Sequence, residues 1–342
     1  MENGNILVLS ERQIMSVLDM PAALESVETS LREIAEGRCI NPMKLHMSLR
    51  PGIQGYLNSM PSCLLAQDVM GAKLVSVYKD NAKNFGLPVT MGTIVLHHPE
   101  SGLPFAVLGG TYITALRTGA AAGVGAKYLA RKDAKTLTIV GCGELCLYLA
   151  AAALAAIPSL KTVYLTNPHR PEKAAERLAA VTAATDALLK ACGHARTAAI
   201  NAAADAASAV GESDIVFTAT CAKAPVVKSA WVKPGTHVSC IGADLPGKQE
   251  VESAVLARAA VYGDDTAQCF AVGECELPHK EGGLPALAGG LGEVILGEKA
   301  GRTSNAEITV FDSTGIALQD IASAAVILNA CEKQGLGTVC DI

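Results

Sequence analysis

The stretch Thr136-Leu137-Thr138-Ile139-Val140-Gly141-Cys142-Gly143-Glu144-Leu145-Cys146 decides the fold. Its first five residues are β-branched or apolar without a polar alternation, the pattern of a parallel strand covered on both faces. A Gly-x-Gly turn follows at once, and the Ala/Leu-rich run from Leu145 to Ile157 then reads as a helix. Strand, tight turn and helix in that order set unpaired helix N-terminal amides and a positive dipole end beside two residues without side chains. A pyrophosphate fits such a place, so a dinucleotide is expected at Gly141 and Gly143. The third small position of the usual fingerprint is taken by Cys146.

Downstream, strands are expected at Thr162–Leu165, Thr197–Ile200, Ile215–Thr218, His237–Ile241, Ala260–Tyr262 and Ile308–Phe311, with helical stretches between most of them. That alternation is the doubly wound parallel pattern. Upstream the texture differs. A short strand (Ile6–Leu9) and a helix from Met20 to Gly37, with Leu24, Val27, Leu31 and Ile34 on one face, precede a Gly- and Pro-rich region with extended runs at Ala72–Tyr78 and Met91–His97. His98 to Gly102 reads as a turn between the strands Gly92–His97 and Pro104–Leu108. A helix covers Ala120–Leu129, and a last one covers Ile316–Glu332 and returns to the first region. The fold class is therefore α/β, a Rossmann doubly wound domain over 121–314 inserted in a mixed α+β domain made of 1–120 and 315–342.

A chain of 342 residues suits two domains, and with 50% hydrophobic and 18% charged residues it has ample material for buried cores. No apolar run reaches the roughly 18–20 residues of a membrane helix, and no secretory signal is evident. A net charge of −5 without a basic cluster argues against nucleic acid as a partner. Eleven cysteines without a CxxC pair read as free, mostly buried thiols in a cytoplasmic protein, with no metal site.

Four further stretches carry chemistry. The end of the second Rossmann strand selects the cofactor, because an acid there binds the ribose 2′-hydroxyl and a base accepts a 2′-phosphate. Here it reads Thr166-Asn167-Pro168-His169-Arg170, with no acid before Glu172, which favours NADP(H) slightly over NAD(H). Asp244, in Gly242-Ala243-Asp244, lies just past a strand end, as a general base, an ammonium partner or a loop cap. Arg117, in Thr114-Ala115-Leu116-Arg117-Thr118-Gly119-Ala120, opens a small-residue helix and suits a forked grip on a carboxylate. Lys73, alone in an apolar strand, needs a counter-ion or substrate unless it lies on an edge.

With Met60-Pro61, Gly71-Ala72-Lys73, Gly86-Leu87-Pro88, Thr114 to Ala120, Gly141-Cys142-Gly143, Gly242-Ala243-Asp244, Pro246-Gly247-Lys248-Gln249-Glu250 and Phe311-Asp312-Ser313-Thr314-Gly315, the chain resembles the ornithine cyclodeaminase/mu-crystallin family from about residue 6 to 330. That family also contains archaeal-type alanine dehydrogenases and ketimine reductases. The resemblance implies a homodimer joined through the N-terminal sheets, so that 1–120 plus 315–342 would bind substrate and dimerise. Lys73 and Arg117 would hold the substrate carboxylate, and Lys44 stands where relatives usually carry an Arg after Pro42. Asp244 would be the acid/base at the substrate nitrogen, with Lys73 beside it among the catalytic groups. Thr118 would lie near the nicotinamide. Gly141, Gly143, Glu144, Leu145, Asn167, His169, Arg170, Thr218, Ala219, Thr220, Asp312 and Ser313 complete the expected cofactor contacts.

Cyclodeaminases carry an acid just upstream of the Met-Pro pair for the distal amine. Gly55-Tyr56-Leu57-Asn58-Ser59 has none, which points to a small or neutral amino/imino acid. The expected activity is that of an NAD(P)-dependent amino-acid dehydrogenase or imine reductase, acting on a small amino/imino or keto acid. Ornithine cyclodeaminase is the runner-up, and a non-catalytic, crystallin-like ligand-binding protein is the third reading.

Overall fold

Thr136–Val140 is a strand, almost wholly buried, in a computed structural model that describes residues 4–50, 52, 53 and 55–341. In chain order the elements are β1 (Asn5–Leu9), α1 (Glu11–Val17), α2 (Met20–Ala35), β2 (Cys39–Ile40), β3 (Leu45–Ser48), β4 (Gly55–Leu64), β5 (Val69–Tyr78), α3 (Asn81–Phe85), β6 (Thr90–His97), β7 (Pro104–Gly109) and α4 (Thr111–Leu129). They continue as β8 (Thr136–Val140), α5 (Cys146–Ala156), β9 (Thr162–Thr166), α6 (Glu172–Ala191), β10 (Ala199–Ala202), α7 (Ala206–Glu212), β11 (Ile215–Thr218), β12 (His237–Cys240), α8 (Ser253–Leu256) and β13 (Ala260–Gly263). The last are α9 (Thr266–Val272), α10 (Glu276–Lys280), β14 (Gly289–Gly290), α11 (Leu291–Ile295), β15 (Thr309–Asp312), α12 (Ala317–Gln334) and β16 (Thr338–Asp341). Two compact units result, one running up to Arg117 and resuming at Ile316, the other spanning Thr118–Gly315.

The first unit is built on a mixed sheet of order β16-β1-β7-β6-β5-β4-β2, with β3 paired to β4. Only β1 and β7 run parallel; the other pairs are antiparallel. Helix α12 packs on α2 and over β4 and β5. The face of α2 that is buried carries Ala23, Ser26, Val27, Ser30 and Leu31, whereas Leu24 and Ile34 are half-buried. The buried stripe is thus turned toward smaller residues, because α12 presents Ala and Ser there and Ser26 hydrogen-bonds Ser323 at 2.9 Å. Helix α4 starts at Thr111, nine residues before the expected Ala120. Its first amides, Thr111 N and Tyr112 N, donate to the Glu11 carboxylate at 2.7 and 3.0 Å, a cap supplied from α1. Arg117 consequently sits inside a helix rather than at its start.

The second unit is an all-parallel sheet of order β10-β9-β8-β11-β12-β15-β13-β14. The strand order reverses between β8 and β11, the switch point at which doubly wound sheets bind ligands. Helix α5 buries Leu149 to Leu154 against the sheet. α4 comes so close that a Cβ at Gly119 would stand 2.6 Å from the Tyr148 carbonyl oxygen. Strand β10 begins two residues later than expected and β15 one residue later. The eleven cysteines are free thiols, seven of them buried. No helix among the described residues is long and apolar enough to cross a membrane.

Candidate active site

Lys73 lies on β5, between β4 and β6, so it is no edge residue. It is fully buried, and its ammonium donates to Asp320 Oδ2 on α12 at 2.6 Å. From α4, Arg117 (6% exposed) donates through Nε to Asp320 Oδ1 at 3.2 Å and through Nη1 to Gln319 Oε1 at 3.1 Å. One carboxylate therefore serves two cations. Burial and the Arg117 charge outweigh Asp320, pulling the Lys73 ammonium down to about 7. Lys44 adds to that pull, which puts it within electrostatic reach of Lys73. A buried cluster with surplus positive charge suits a monoanion.

In the β4–β5 register Met60 faces Lys73 and Asn58 faces Val75, so all four side chains share one side of the sheet. Met60 and Val75 pack with Ala317. Beyond them, Asn58 is buried and bonded through Oδ1 to His46 Nδ1 at 2.8 Å, and His46 Nε2 meets Ser48 Oγ at 2.9 Å. The buried polar group just upstream of Met60-Pro61 is thus an amide tied to an imidazole.

In the second unit, Gly141 has φ +123°, and a Cβ there would meet the Ala219 carbonyl oxygen at 2.4 Å. Only glycine makes this turn. At Gly143 a Cβ would meet nothing within 4 Å, so the glycine leaves open space in front of the start of α5. That is the cradle a pyrophosphate needs, and the residues present fit a dinucleotide. Glu144 is exposed and Leu145 half-buried. Asn167 Oδ1 accepts from the His169 and Arg170 amides at 3.1 and 3.0 Å, so its oxygen shapes the turn into α6, while His169 and Arg170 are exposed.

Thr218 ends β11, and Ala219 and Thr220 follow it beside the same turn. Their anchor is Glu250, which accepts from Thr218 Oγ1 and Gly242 N at 2.7 Å each and from Thr220 N at 2.6 Å. Glu250 thus ties the end of β11 to the loop after β12 that carries Asp244. Asp244 is half-buried and ion-paired with Lys248. Burial pulls Lys248 down, but the charge and hydrogen bond of Asp244, with the nearby Cys221 and Glu250, together hold the ammonium above its ordinary value. Asp312, an expected cofactor contact, is fully buried, with its carboxylate accepting from Glu274 N and Cys275 N at 3.1 and 3.0 Å. Ser313 is buried as well, and Thr118 follows Arg117 on α4. Among the described residues no group of three or more His, Cys, Asp or Glu could hold a metal ion.

Sequence reasoning missed Gln319, Asp320, Lys248 and Glu250. Asp320 left a readable signal, an acid inside the apolar helical run Ile316 to Ile327, which demands a cationic partner as Lys73 does. Glu250 left none, since its partners are mostly backbone amides.

A profile of the ornithine cyclodeaminase/mu-crystallin family matches residues 5–335. An alanine dehydrogenase of Archaeoglobus fulgidus is 35% identical over 334 residues, 97% of each chain. The structure of an archaeal alanine dehydrogenase dimer with bound NAD superposes with a TM-score of 0.86 at 33% identity, covering 99% of both chains. A Δ1-pyrroline-2-carboxylate reductase of Thermococcus litoralis, in complex with NADH and L-proline, gives 0.87 at 31% identity, covering 97% of this chain and 99% of that one. The chain belongs to the ornithine cyclodeaminase/mu-crystallin family.

Proposed function

We propose that this chain is a nicotinamide-dependent oxidoreductase that interconverts a small α-imino acid and its amino acid, either as an amino-acid dehydrogenase or as an imine reductase. The observation that carries this reading is the buried cluster in which, among the described residues, Asp320 is the one carboxylate paired with Lys73 and Arg117, ready for a substrate carboxylate. Lys44 adds a third cation at longer range. When bound, the nicotinamide supplies or takes up the hydride. The chain's own residues fix the carboxylate and manage the proton on nitrogen. We assign the latter role to Asp244, which as an ion-paired carboxylate can take a proton from the substrate ammonium and return it.

The pyrophosphate is assigned to Gly141, Gly143 and the start of α5. For the ribose we favour NADP(H), since the loop from Thr166 to Arg170 has no acid and leaves Arg170 exposed. The two neighbouring structures hold NAD and NADH, so a direct comparison of both cofactors is the first measurement. We further propose a homodimer, which the exposed apolar residues Leu45 and Met47 of β3 and the dimeric neighbour support. The Asn58 amide, bonded to His46, weighs against ornithine, whose distal amine would lack a carboxylate. Lys73, Arg117 and Asp244 together support catalysis over ligand storage.

The test is turnover of the purified protein with NADH and NADPH on pyruvate plus ammonia, on Δ1-pyrroline-2-carboxylate and on ornithine. Reduction of one of the first two is expected. Efficient formation of proline from ornithine would establish the cyclodeaminase instead, and no turnover of any would refute an oxidoreductase of this class.

A further inference from the structure

Gln319 sits in the first turn of α12, fully buried beside Arg117. Arginine has only donors, so the amide oxygen must face Arg117, as the 3.1 Å contact from Nη1 shows, and the amide nitrogen must point the other way. That nitrogen, Nε2, is buried and has no hydrogen-bond partner among the described residues. Beside it, Asp320 bonds both Lys73 and Arg117, and these three groups carry one positive charge more than they balance. A buried donor without an acceptor loses its hydration for no return, so folded proteins rarely keep one. Here the unmet donor and the unmet positive charge occur together. Both are met by a single group: a carboxylate, with one negative charge and several lone pairs.

We infer that Gln319 is a substrate-binding residue whose amide N–H donates to the substrate carboxylate, and that Asp320 is the positioning residue that orients Lys73 and Arg117 toward the same group. The inference rests on the proposed reading of this cluster as the carboxylate site. It divides the labour within α12: Gln319 reaches the ligand, while Asp320, with both oxygens already engaged, reaches only the cations. A carboxylate makes this bond charge-assisted and meets the surplus positive charge as well, so Gln319 favours acids over ligands with a neutral acceptor.

Two variants isolate the N–H donor. Gln319→Met keeps size and charge but removes both the donor and the acceptor. Gln319→Glu keeps the acceptor that Arg117 uses, removes the donor and adds a negative charge. The full-length protein with saturating NADH and no ammonia is titrated with pyruvate and with L-proline, and the thermal midpoint reports binding without turnover. The wild type should bind at least one of the two. Both variants should bind it about tenfold more weakly or worse, the loss expected for one hydrogen bond to a charged acceptor, with NADH affinity unchanged. Wild-type affinity in either variant, or no binding of either acid by the wild-type protein, would overturn the inference. Should the Met variant not fold, Gln319→Leu, which likewise removes the donor without adding charge, takes its place. Because binding is read without turnover, an inactive enzyme that still loses pyruvate or proline in both variants would refute the proposed reaction and leave this assignment standing.

Discussion

At the scale of single residues, the two sites differ in how their charges are held. Asp244 is half-buried and ion-paired with Lys248, whereas Lys73 is fully buried on Asp320. Asp244→Asn keeps the shape and most hydrogen bonding while removing the proton acceptor. Turnover should fall by roughly 10²–10⁴-fold with cofactor affinity unchanged; near-normal kcat would place the proton transfer elsewhere. Lys73 leads to a pH effect. Its ammonium titrates near 7 in the free protein, so the cation that meets the carboxylate is lost as pH rises through that value. Binding of pyruvate should therefore weaken from pH 6.5 to pH 8.5, in titrations with NADH present and ammonia absent. Affinity constant over that range would mean that Arg117 alone holds the anion.

Elements show why some of this was legible in the chain and some was not. The β8–turn–α5 unit is local: its strand pattern, its glycines and its apolar helix lie within about twenty residues, and the structure reproduces them. Replacing Gly143 by Val should abolish NADH fluorescence enhancement in a protein that still folds, since nothing of the chain occupies that space. Gly141→Val should instead destabilise the fold, because its Cβ would strike the Ala219 carbonyl. If Gly143→Val retained NADH, the pyrophosphate assignment would fail. Arg170→Ala offers a second reading of this edge: a larger loss for NADPH than for NADH, about tenfold, supports a 2′-phosphate at Arg170, and equal losses refute it. The start of α4 was illegible because its cap comes from Glu11, one hundred residues from Thr111. Asp320 lies 247 residues from Lys73, so that only the need for a partner, and not its identity, could be read from the strand.

Across the whole molecule, the buried charges of the two units act on stability with opposite sign. In the second unit Asp312 is fully buried, and burial raises it to about 7; burial likewise raises Glu250, Glu274 and Asp264. Their partners are mainly backbone amides, hydroxyls and one another. Between the ordinary carboxylate range and about 7 the folded chain thus holds protons that the unfolded chain has released. Stability must then fall as pH rises through that window. In the first unit Lys73 behaves in reverse. From about 7 up to its ordinary value of 10.5 the folded chain has released a proton that the unfolded chain retains, so stability must rise with pH there. The sum is a minimum near neutrality. Thermal midpoints of the full chain should be lower at pH 7.5 than at pH 5.5, and should recover toward pH 9. Asp312→Asn lowers the midpoint overall, because its amide nitrogen would face the Cys275 N–H, but it should also flatten the decline between pH 5.5 and 7.5. A midpoint that climbs steadily from pH 5.5 to 7.5 in the wild type would show that these carboxylates stay ionised in the folded protein, and that the amides of residues 242, 274 and 275 fully replace the water they lost.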